Sequence, residues 1–137
     1  MMALMDADAA RRWFDSYLAD FIALGRGDLD DVRRILDHYG VPMLVSTDAG
    51  TTVLTDEDQV LAVARQQAYG MRAAGYDRSE VLAADTTVLN RTCATHHGRF
   101  ARLRADGTEI SQVEATYVIS DGAGGRRISA IIVHSGT

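Results

Sequence analysis

The sequence predicts an α+β fold in which a curved, mainly antiparallel sheet wraps around the helices that precede it. Helical periodicity occupies the chain up to about residue 75, and the pattern after it is typical of strands. Residues 79–137 contain no proline, and most of their glycines lie in two turn signals, at 106–107 and 121–125. We therefore expect a cone-shaped mixed sheet around three N-terminal helices, with a pocket between the two layers.

Length and composition restrict the class of protein. The 137 residues fit one domain, 1–137, and a net charge of −5 argues against nucleic-acid binding, which requires a basic surface. No apolar stretch approaches the roughly 20 residues that cross a bilayer. The apolar start, residues 1–5, lacks the basic segment of a signal peptide, and the single Cys93 excludes an internal disulfide. We expect a cytoplasmic protein that contacts neither nucleic acid nor membrane.

Three helices are expected before the sheet. The first spans residues 8–24, and its inner face repeats every three or four residues: Trp13, Tyr17, Asp20 and Leu24. The second begins with Asp28 as N-cap, has Tyr39 on its inner face and ends at Gly40. The third begins with Thr55 as N-cap, three residues before an acid, and extends to Gly75.

The strands are marked by alternation and by turns. Short extended segments, 43–46 and 51–54, flank a turn at Asp48-Ala49-Gly50. Four longer strands are predicted at 79–89, 92–105, 108–120 and 126–135. Because both faces of the last two strands carry apolar residues, we expect helices to cover one face and a second subunit to cover the other. The partner prediction is therefore a homodimer formed through the outer sheet face.

Two segments resemble nuclear transport factor 2-like (NTF2-like) domains. Residues 23–32, Ala-Leu-Gly-Arg-Gly-Asp-Leu-Asp-Asp-Val, end a helix in Gly-Asp-x-Asp before the next helix, and residues 127–135, Arg-Ile-Ser-Ala-Ile-Ile-Val-His-Ser, are similar to the last strand of that superfamily. The resemblance includes its SnoaL-like polyketide cyclase, steroid Δ-isomerase-like and DUF4440-type branches. It implies a cystatin-like cone with a deep apolar pocket, and dimers in many members. Since the superfamily contains both enzymes and association domains, the fold does not decide the function.

The steroid isomerases of that superfamily give a residue-by-residue test. In an ungapped alignment on Gly27-Asp28, their pocket tyrosine falls on Asp20, their proton-abstracting aspartate on Leu44, and the acid that helps to hold the oxyanion near residues 114–116. Leucine cannot accept the proton that enolisation releases. The resemblance therefore disfavours isomerase activity of that type.

Asp20 and His97 are the candidate catalytic residues. A carboxylate on a buried face is costly unless it is paired, so Asp20 is either suited to acid/base chemistry or paired with an arginine at the edge of the face. Because neighbouring residues on a strand point to opposite faces, at most one of His96 and His97 faces the pocket. The alternative is one histidine at a dimer interface and the other in the core.

The candidate ligand-binding residues combine an apolar body with a polar tip: Trp13, Tyr17, Tyr39, Tyr69, His96, Tyr117 and His134. Aromatic residues at helical spacing are also explained by ordinary core packing. We expect no cofactor and no metal site, because Cys93, His97 and His134 would have to converge across strands and no short-range ligand spacing supports them.

Two functions remain open at the level of sequence. The first is a SnoaL-like protein that binds a small hydrophobic molecule and, if it is an enzyme, performs cofactor-independent acid/base chemistry with Asp20 and a histidine. The second is a non-catalytic dimeric binding or association module. A shared, water-accessible cavity for Asp20 and a histidine would distinguish the first from the second.

Overall fold

The computed structural model describes residues 5–136. Residues 1–4, which belong to the apolar start that was compared with a signal peptide, lie outside the described part. The expected α+β order is confirmed. In chain order the elements are α1 (Ala7–Arg26), a 3-10 helix (Val32–Asp37), β1 (Tyr39–Thr47), β2 (Gly50–Leu54), α2 (Glu57–Ala73), β3 (Tyr76–Asn90), β4 (Cys93–Arg104), β5 (Glu109–Gly122) and β6 (Gly125–Val133). Within residues 5–136, no helix has the length and apolarity needed to cross a membrane.

The six strands form one mixed sheet in the order β2-β1-β6-β5-β4-β3. All neighbours are antiparallel except β1 and β6, which are parallel. The β1–β6 register shifts between Tyr39 and Leu44, the segment that contains Pro42, which has no N–H to donate to a ladder. The sheet is open, with β2 and β3 as its edges, so the helices lie against a curved wall rather than inside a closed barrel.

Helix α1 begins and ends with ordinary capping. The Asp6 carboxylate accepts the Ala9 N–H at 2.9 Å, and Gly27 ends the helix with a φ of 90°, a conformation that suits glycine. The buried residues of the helix are Ala10, Phe14, Tyr17, Leu24 and Gly25. Phe14 therefore lies at the centre of the buried face, and Trp13 and Asp20, which were expected there, lie on its flank.

The second predicted helix is wrong in type and in extent. Asp31, not Asp28, is its N-cap, and only the 3-10 turn of Val32–Asp37 forms. Tyr39 pairs with Ile128 as the first residue of β1, and the Ile128 N–H donates to the His38 carbonyl at 2.7 Å. Backbone pairing with β6 ends the helix before Tyr39, because a residue cannot satisfy a helix and a strand ladder at once.

Helix α2 starts one residue later than expected. Asp56, rather than Thr55, is the N-cap, and its carboxylate accepts the Gln59 N–H at 2.9 Å. The Gln59 side chain in turn accepts the Thr55 N–H at 2.7 Å. The reciprocal hydrogen bonds of the capping box are therefore divided between two adjacent residues: Asp56 accepts from Gln59, and Thr55 donates to it. The predicted buried residues are confirmed: Val60, Leu61, Ala64, Ala68 and Met71.

The sheet has an inner face, which contacts the helices, and an outer face, which is turned away from them. Phe14 of α1 contacts His96, Phe100 and Tyr117, which places these three residues on the inner face. Their neighbours His97 and Thr116, which are paired with each other across β4 and β5, lie on the outer face. The core is built between α1, α2 and the inner face.

Candidate functional site

A cavity of about 270 Å³ lies between the helices and the inner sheet face. Its apolar wall consists of Leu18, Phe21, Met43, Val45, Val63, Phe100, Val113, Ala115, Ile131 and Val133, and its polar groups come from Tyr17, Tyr39, Thr47, Gln67, Ser79, Arg102 and Tyr117. An apolar wall with a few convergent polar groups is the usual composition of a small-molecule site. We refer to this space as the inner cavity.

Three tyrosines line the inner cavity, one each from α1, β1 and β5. The hydroxyls of Tyr17 and Tyr39 are 3.0 Å apart and share a hydrogen bond, and the Tyr117 ring lies 6.0 Å from that of Tyr17. Burial raises the pKa of all three phenols, and most clearly those of Tyr17 and Tyr117. At neutral pH the three side chains are therefore uncharged hydrogen-bond groups.

These phenols make the fold sensitive to alkali. A phenol whose pKa is raised in the folded state stabilises that state below its ordinary pKa of about 10 and loses this contribution as pH rises above it. We expect the free energy of unfolding to fall above about pH 10, and to fall less steeply in Tyr117→Phe than in the wild type. Denaturant unfolding over an alkaline pH series measures both slopes, and equal slopes would contradict the assignment.

Among the residues that the structure describes, Arg102 is the one charged residue in the wall of the inner cavity. It follows Phe100 by two positions on β4, so both side chains lie on the inner face. Its guanidinium lies 5.6 Å from the centre of the Phe21 ring. Within residues 5–136 no carboxylate lies within ion-pair distance of Arg102. The cavity thus offers an uncompensated positive charge beside aromatic rings and phenols.

Phe100 keeps its place in the cavity wall because Gly98 lacks a side chain. A Cβ atom added at Gly98 would lie 2.5 Å from the Phe100 Cζ atom. We expect Gly98→Ala to displace this ring and to cost about 1–3 kcal/mol of unfolding free energy. Urea unfolding measures the effect, with Gly122→Ala as control because no atom lies within 4 Å of its added Cβ. A loss in the control as large as in Gly98→Ala would contradict the steric explanation.

Asp20 lies outside the inner cavity. Its Oδ2 atom is 3.0 Å from Nε2 of His38 and 3.6 Å from Nε of Arg34, so the carboxylate is paired. The His38 ring is buried and lies edge-on to Trp13, with 5.4 Å between ring centres. The arrangement matches the alternative in which Asp20 lies at the edge of the buried face and pairs with an arginine.

The two adjacent histidines point to opposite faces, as expected, and neither lines the inner cavity. His96 is buried in the core, where its ring stacks on Phe14 at 3.9 Å and Nδ1 lies 2.8 Å from the Thr86 hydroxyl. His97 lies on the outer face, where Nε2 is 2.7 Å from Oε2 of Glu114. The structure does not bring Asp20 together with either ring, so an acid/base pair of Asp20 and His97 has no geometric support.

The predicted ligand-binding residues divide into two groups. Tyr17, Tyr39 and Tyr117 line the inner cavity. The other four do not: Trp13 covers His38, His96 is in the core, His134 lies on the outer face, and Tyr69 is 63% exposed on α2. Sequence reasoning missed Arg102, Gln67 and Ser79. For Arg102 the signal was present, since it continues the alternation His96, Gly98, Phe100 on the inner face.

Leu44, the position of the isomerase base, also lies away from the inner cavity. It pairs with Ala130 on the outer face, and its neighbour Val45 lines the cavity instead. Of residues 114–116, only Ala115 is in the cavity wall, and it has no acid group. The described cavity wall therefore contains no carboxylate.

Comparison with known proteins establishes the family. The model of the family described as NTF2-like protein (DUF6841) matches residues 7–136. A protein of unknown function with a cystatin-like fold from Nostoc punctiforme superposes with a TM-score of 0.66 and 16% identity, over 98% of this chain and 97% of that one. No curated protein matches the chain.

Two further solved structures share the fold. A putative calcium/calmodulin dependent protein kinase II association domain from Xanthomonas campestris has a TM-score of 0.64 and 13% identity, over 99% of this chain and 97% of that one. The yeast UBP3-associated protein BRE5 has a TM-score of 0.64 and 12% identity, over 87% and 90% of the two chains. At these identities the similarity concerns the fold alone. Taken with the match over residues 7–136, these findings show that the chain belongs to the NTF2-like family DUF6841.

Proposed function

We propose that this protein binds a small, largely apolar ligand that carries one negatively charged group, and that the ligand occupies the inner cavity. An NTF2-like fold in general supports a ligand-binding or isomerase-like domain. The observation that carries the more specific proposal is Arg102, the single charged group of the cavity wall, which has no carboxylate partner in residues 5–136.

The energetic argument concerns the charge of Arg102. A partly buried cation without a counter-ion has lost hydration that no protein carboxylate replaces. A ligand anion restores that interaction, and hydrogen bonds to charged groups contribute about 1.5–3 kcal/mol each. The neutral phenols of Tyr117 and of one member of the Tyr17–Tyr39 pair can donate further hydrogen bonds to the ligand, since the other hydroxyl of that pair donates to its neighbour. None of the three adds a competing negative charge.

The size and lining of the inner cavity favour a ring-containing ligand. Its volume of about 270 Å³ is close to the lower end of the range of about 300–1,000 Å³ found for small-molecule sites. Phe21, Phe100 and the tyrosines offer aromatic surfaces against which a flat ring can stack. A bicyclic aromatic carboxylate such as 2-naphthoate is therefore a suitable probe.

The location of the ligand is tested by filling the cavity. We expect 2-naphthoate to bind the wild type in calorimetric titration, and Val113→Trp, which adds an indole at the cavity wall, to abolish that binding. Leu89→Trp is the control, because Leu89 is 59% exposed near the end of β3 and does not line the cavity. Equal loss of binding in both variants, or no binding to the wild type, would contradict the proposal.

This proposal is one of binding. It keeps the hydrophobic-ligand function expected of a SnoaL-like protein, and it gives no role to Asp20 or His97, since both lie outside the cavity. The carboxylate-free wall supports binding better than acid/base chemistry, because a general base must lie within hydrogen-bond reach of the substrate.

We also propose that the outer face pairs two subunits. Four apolar side chains are neighbours on this face, either across strands or along one strand: Leu44, Val118, Ala130 and Ile132. Of these, Ile132 is 39% exposed.

The dimer proposal predicts a large effect of one charge. We expect Ile132→Asp to weaken self-association by about 2 kcal/mol or more, because a carboxylate would be desolvated at the centre of the contact. Sedimentation over a dilution series measures the equilibrium. Tyr69→Asp on the exposed side of α2 is the control, and a wild type that is monomeric at all concentrations would contradict the proposal.

A further inference from the structure

His97, Glu114 and His134 form a cluster on the outer face, which we call the outer cluster. Each offers one ligand atom, and these atoms all lie within 4.8 Å of one another. Oε2 of Glu114 is 2.7 Å from Nε2 of His97 and 3.4 Å from Nδ1 of His134. The cluster lies on the opposite side of the sheet from the inner cavity, so it is independent of the function proposed there.

Register brings the three residues together from three strands. His97 of β4 is diagonal to Glu114 of β5, because its direct partner is Thr116. His134 follows β6, and its backbone N–H donates to the Glu114 carbonyl at 2.9 Å. The strand ladder therefore fixes all three Cα positions, and metal binding would require only side-chain movement.

The chemistry of these residues suits a divalent transition metal. Two imidazoles and a carboxylate are ligands of Zn²⁺ and of related ions, and three protein ligands leave coordination positions open for water or a substrate. With metal–nitrogen bonds of about 2.0–2.1 Å, tetrahedral ligand atoms lie about 3.4 Å apart. The separations of Oε2 of Glu114 from the two imidazole nitrogens, 2.7 and 3.4 Å, are close to that value. All three side chains are partly exposed, which allows an ion to enter.

Thr116 orients one of the ligands. Its hydroxyl lies 2.7 Å from Nε2 of His134, which leaves Nδ1 of that ring facing Glu114. A hydrogen bond to the non-ligating nitrogen is the usual support of a metal-binding histidine.

We propose that His97, Glu114 and His134 bind a divalent transition-metal ion, with Zn²⁺ as the representative, on the outer face of the sheet. The sequence-based expectation of no metal site considered His97 and His134 only together with Cys93. Glu114 was not considered, because it shares no local motif with either histidine and lies on the strand between them.

The test is calorimetric titration of the metal-free, tag-free protein with Zn²⁺. We expect about one ion per chain, and binding at least about tenfold weaker in His97→Ala, Glu114→Gln and His134→Ala. Thr116→Val, which removes the orienting hydroxyl, should weaken binding by about tenfold or more. Asp85→Asn is the matched control: it neutralises an acid that lies directly across from His97 on the same face but outside the cluster, and it should bind as the wild type does.

Two measurements keep the result decisive. Circular dichroism and sedimentation of each variant separate loss of the site from loss of the fold or of subunit pairing on this face. The Co²⁺-loaded wild type should show visible absorption bands of nitrogen and oxygen ligation, which need no variant. Absence of saturable Zn²⁺ binding, binding as tight as that of the wild type in the three ligand variants, or a Co²⁺ spectrum identical to that of the aqueous ion would overturn the proposal.

Discussion

Replacing Phe14 with alanine is expected to lower the free energy of unfolding by about 3–5 kcal/mol. Phe14 is 1% exposed, and its ring contacts four others, those of Tyr17, His96, Phe100 and Tyr117. The substitution removes the central ring of this cluster, and the sheet ladder limits how far the neighbours can close the space. Urea unfolding followed by circular dichroism measures the loss.

The control for this prediction keeps most of the volume of the side chain and removes the ring. Phe14→Leu should cost clearly less than Phe14→Ala, because the smaller volume change leaves a smaller void. If Phe14→Ala lowered the free energy of unfolding by less than about 1 kcal/mol, the ring cluster would not be the centre of the core. Phe14 would then not be the residue that positions Tyr17 and Tyr117 at the inner cavity.

Replacing Arg102 with methionine is expected to remove the preference of the protein for an anionic ligand. The wild type should bind 2-naphthoate more tightly than the neutral, similarly shaped 2-naphthamide. Loss of hydrogen bonds to a charged group, about 1.5–3 kcal/mol, corresponds to about 10- to 150-fold weaker binding of the carboxylate. Binding of the amide should change little, because methionine keeps the apolar stem that packs near Phe21.

Controls for Arg102→Met address charge and stability. Arg99→Met removes the same charge from the outer face of β4 and should leave both affinities unchanged. Removal of an unpaired, partly buried cation should not lower the melting temperature of Arg102→Met. Equal weakening of carboxylate and amide binding would show that Arg102 acts by packing rather than by charge.

Sequence reasoning succeeded where one local signal decides the structure. Helix α2 follows from the periodicity of Val60, Leu61, Ala64, Ala68 and Met71, and the four long strands follow from alternation between turns. The second helix failed at Tyr39, because the competing interaction is a long-range pairing with Ile128 in β6. No pattern within residues 28–40 indicates that Tyr39 pairs with β6.

The inner cavity was predictable in part. Tyr17, Tyr39 and Tyr117 were expected in it, and Arg102 follows from the alternation of β4 once Phe100 is placed inside. Asp20 was misplaced because the helical face was centred on Trp13 and Tyr17 rather than on Phe14 and Tyr17, a rotation that moves the carboxylate to the flank, where His38 and Arg34 meet it. The predicted role of Asp20 thus depended on which residues lie at the centre of the buried face of α1, and the spacing of the apolar residues did not decide this.

The outer cluster was beyond sequence reasoning for a different reason. Its three residues come from three strands, and a shift of one residue in the β4–β5 register would turn Glu114 to the inner face. Hairpin lengths did not fix that register. Only the strand pairing identifies Glu114 as the group between His97 and His134.

A crystal structure with 6-bromo-2-naphthoate shows whether the inner cavity binds an apolar anion and whether Arg102 holds its carboxylate. Anomalous scattering locates the bromine, and the density locates the carboxylate. We predict the naphthalene ring in the inner cavity among Tyr17, Phe100 and Tyr117, with the carboxylate within hydrogen-bond distance of the Arg102 guanidinium. A bromine peak on the outer face, or a carboxylate turned to solvent away from Arg102, would contradict the account.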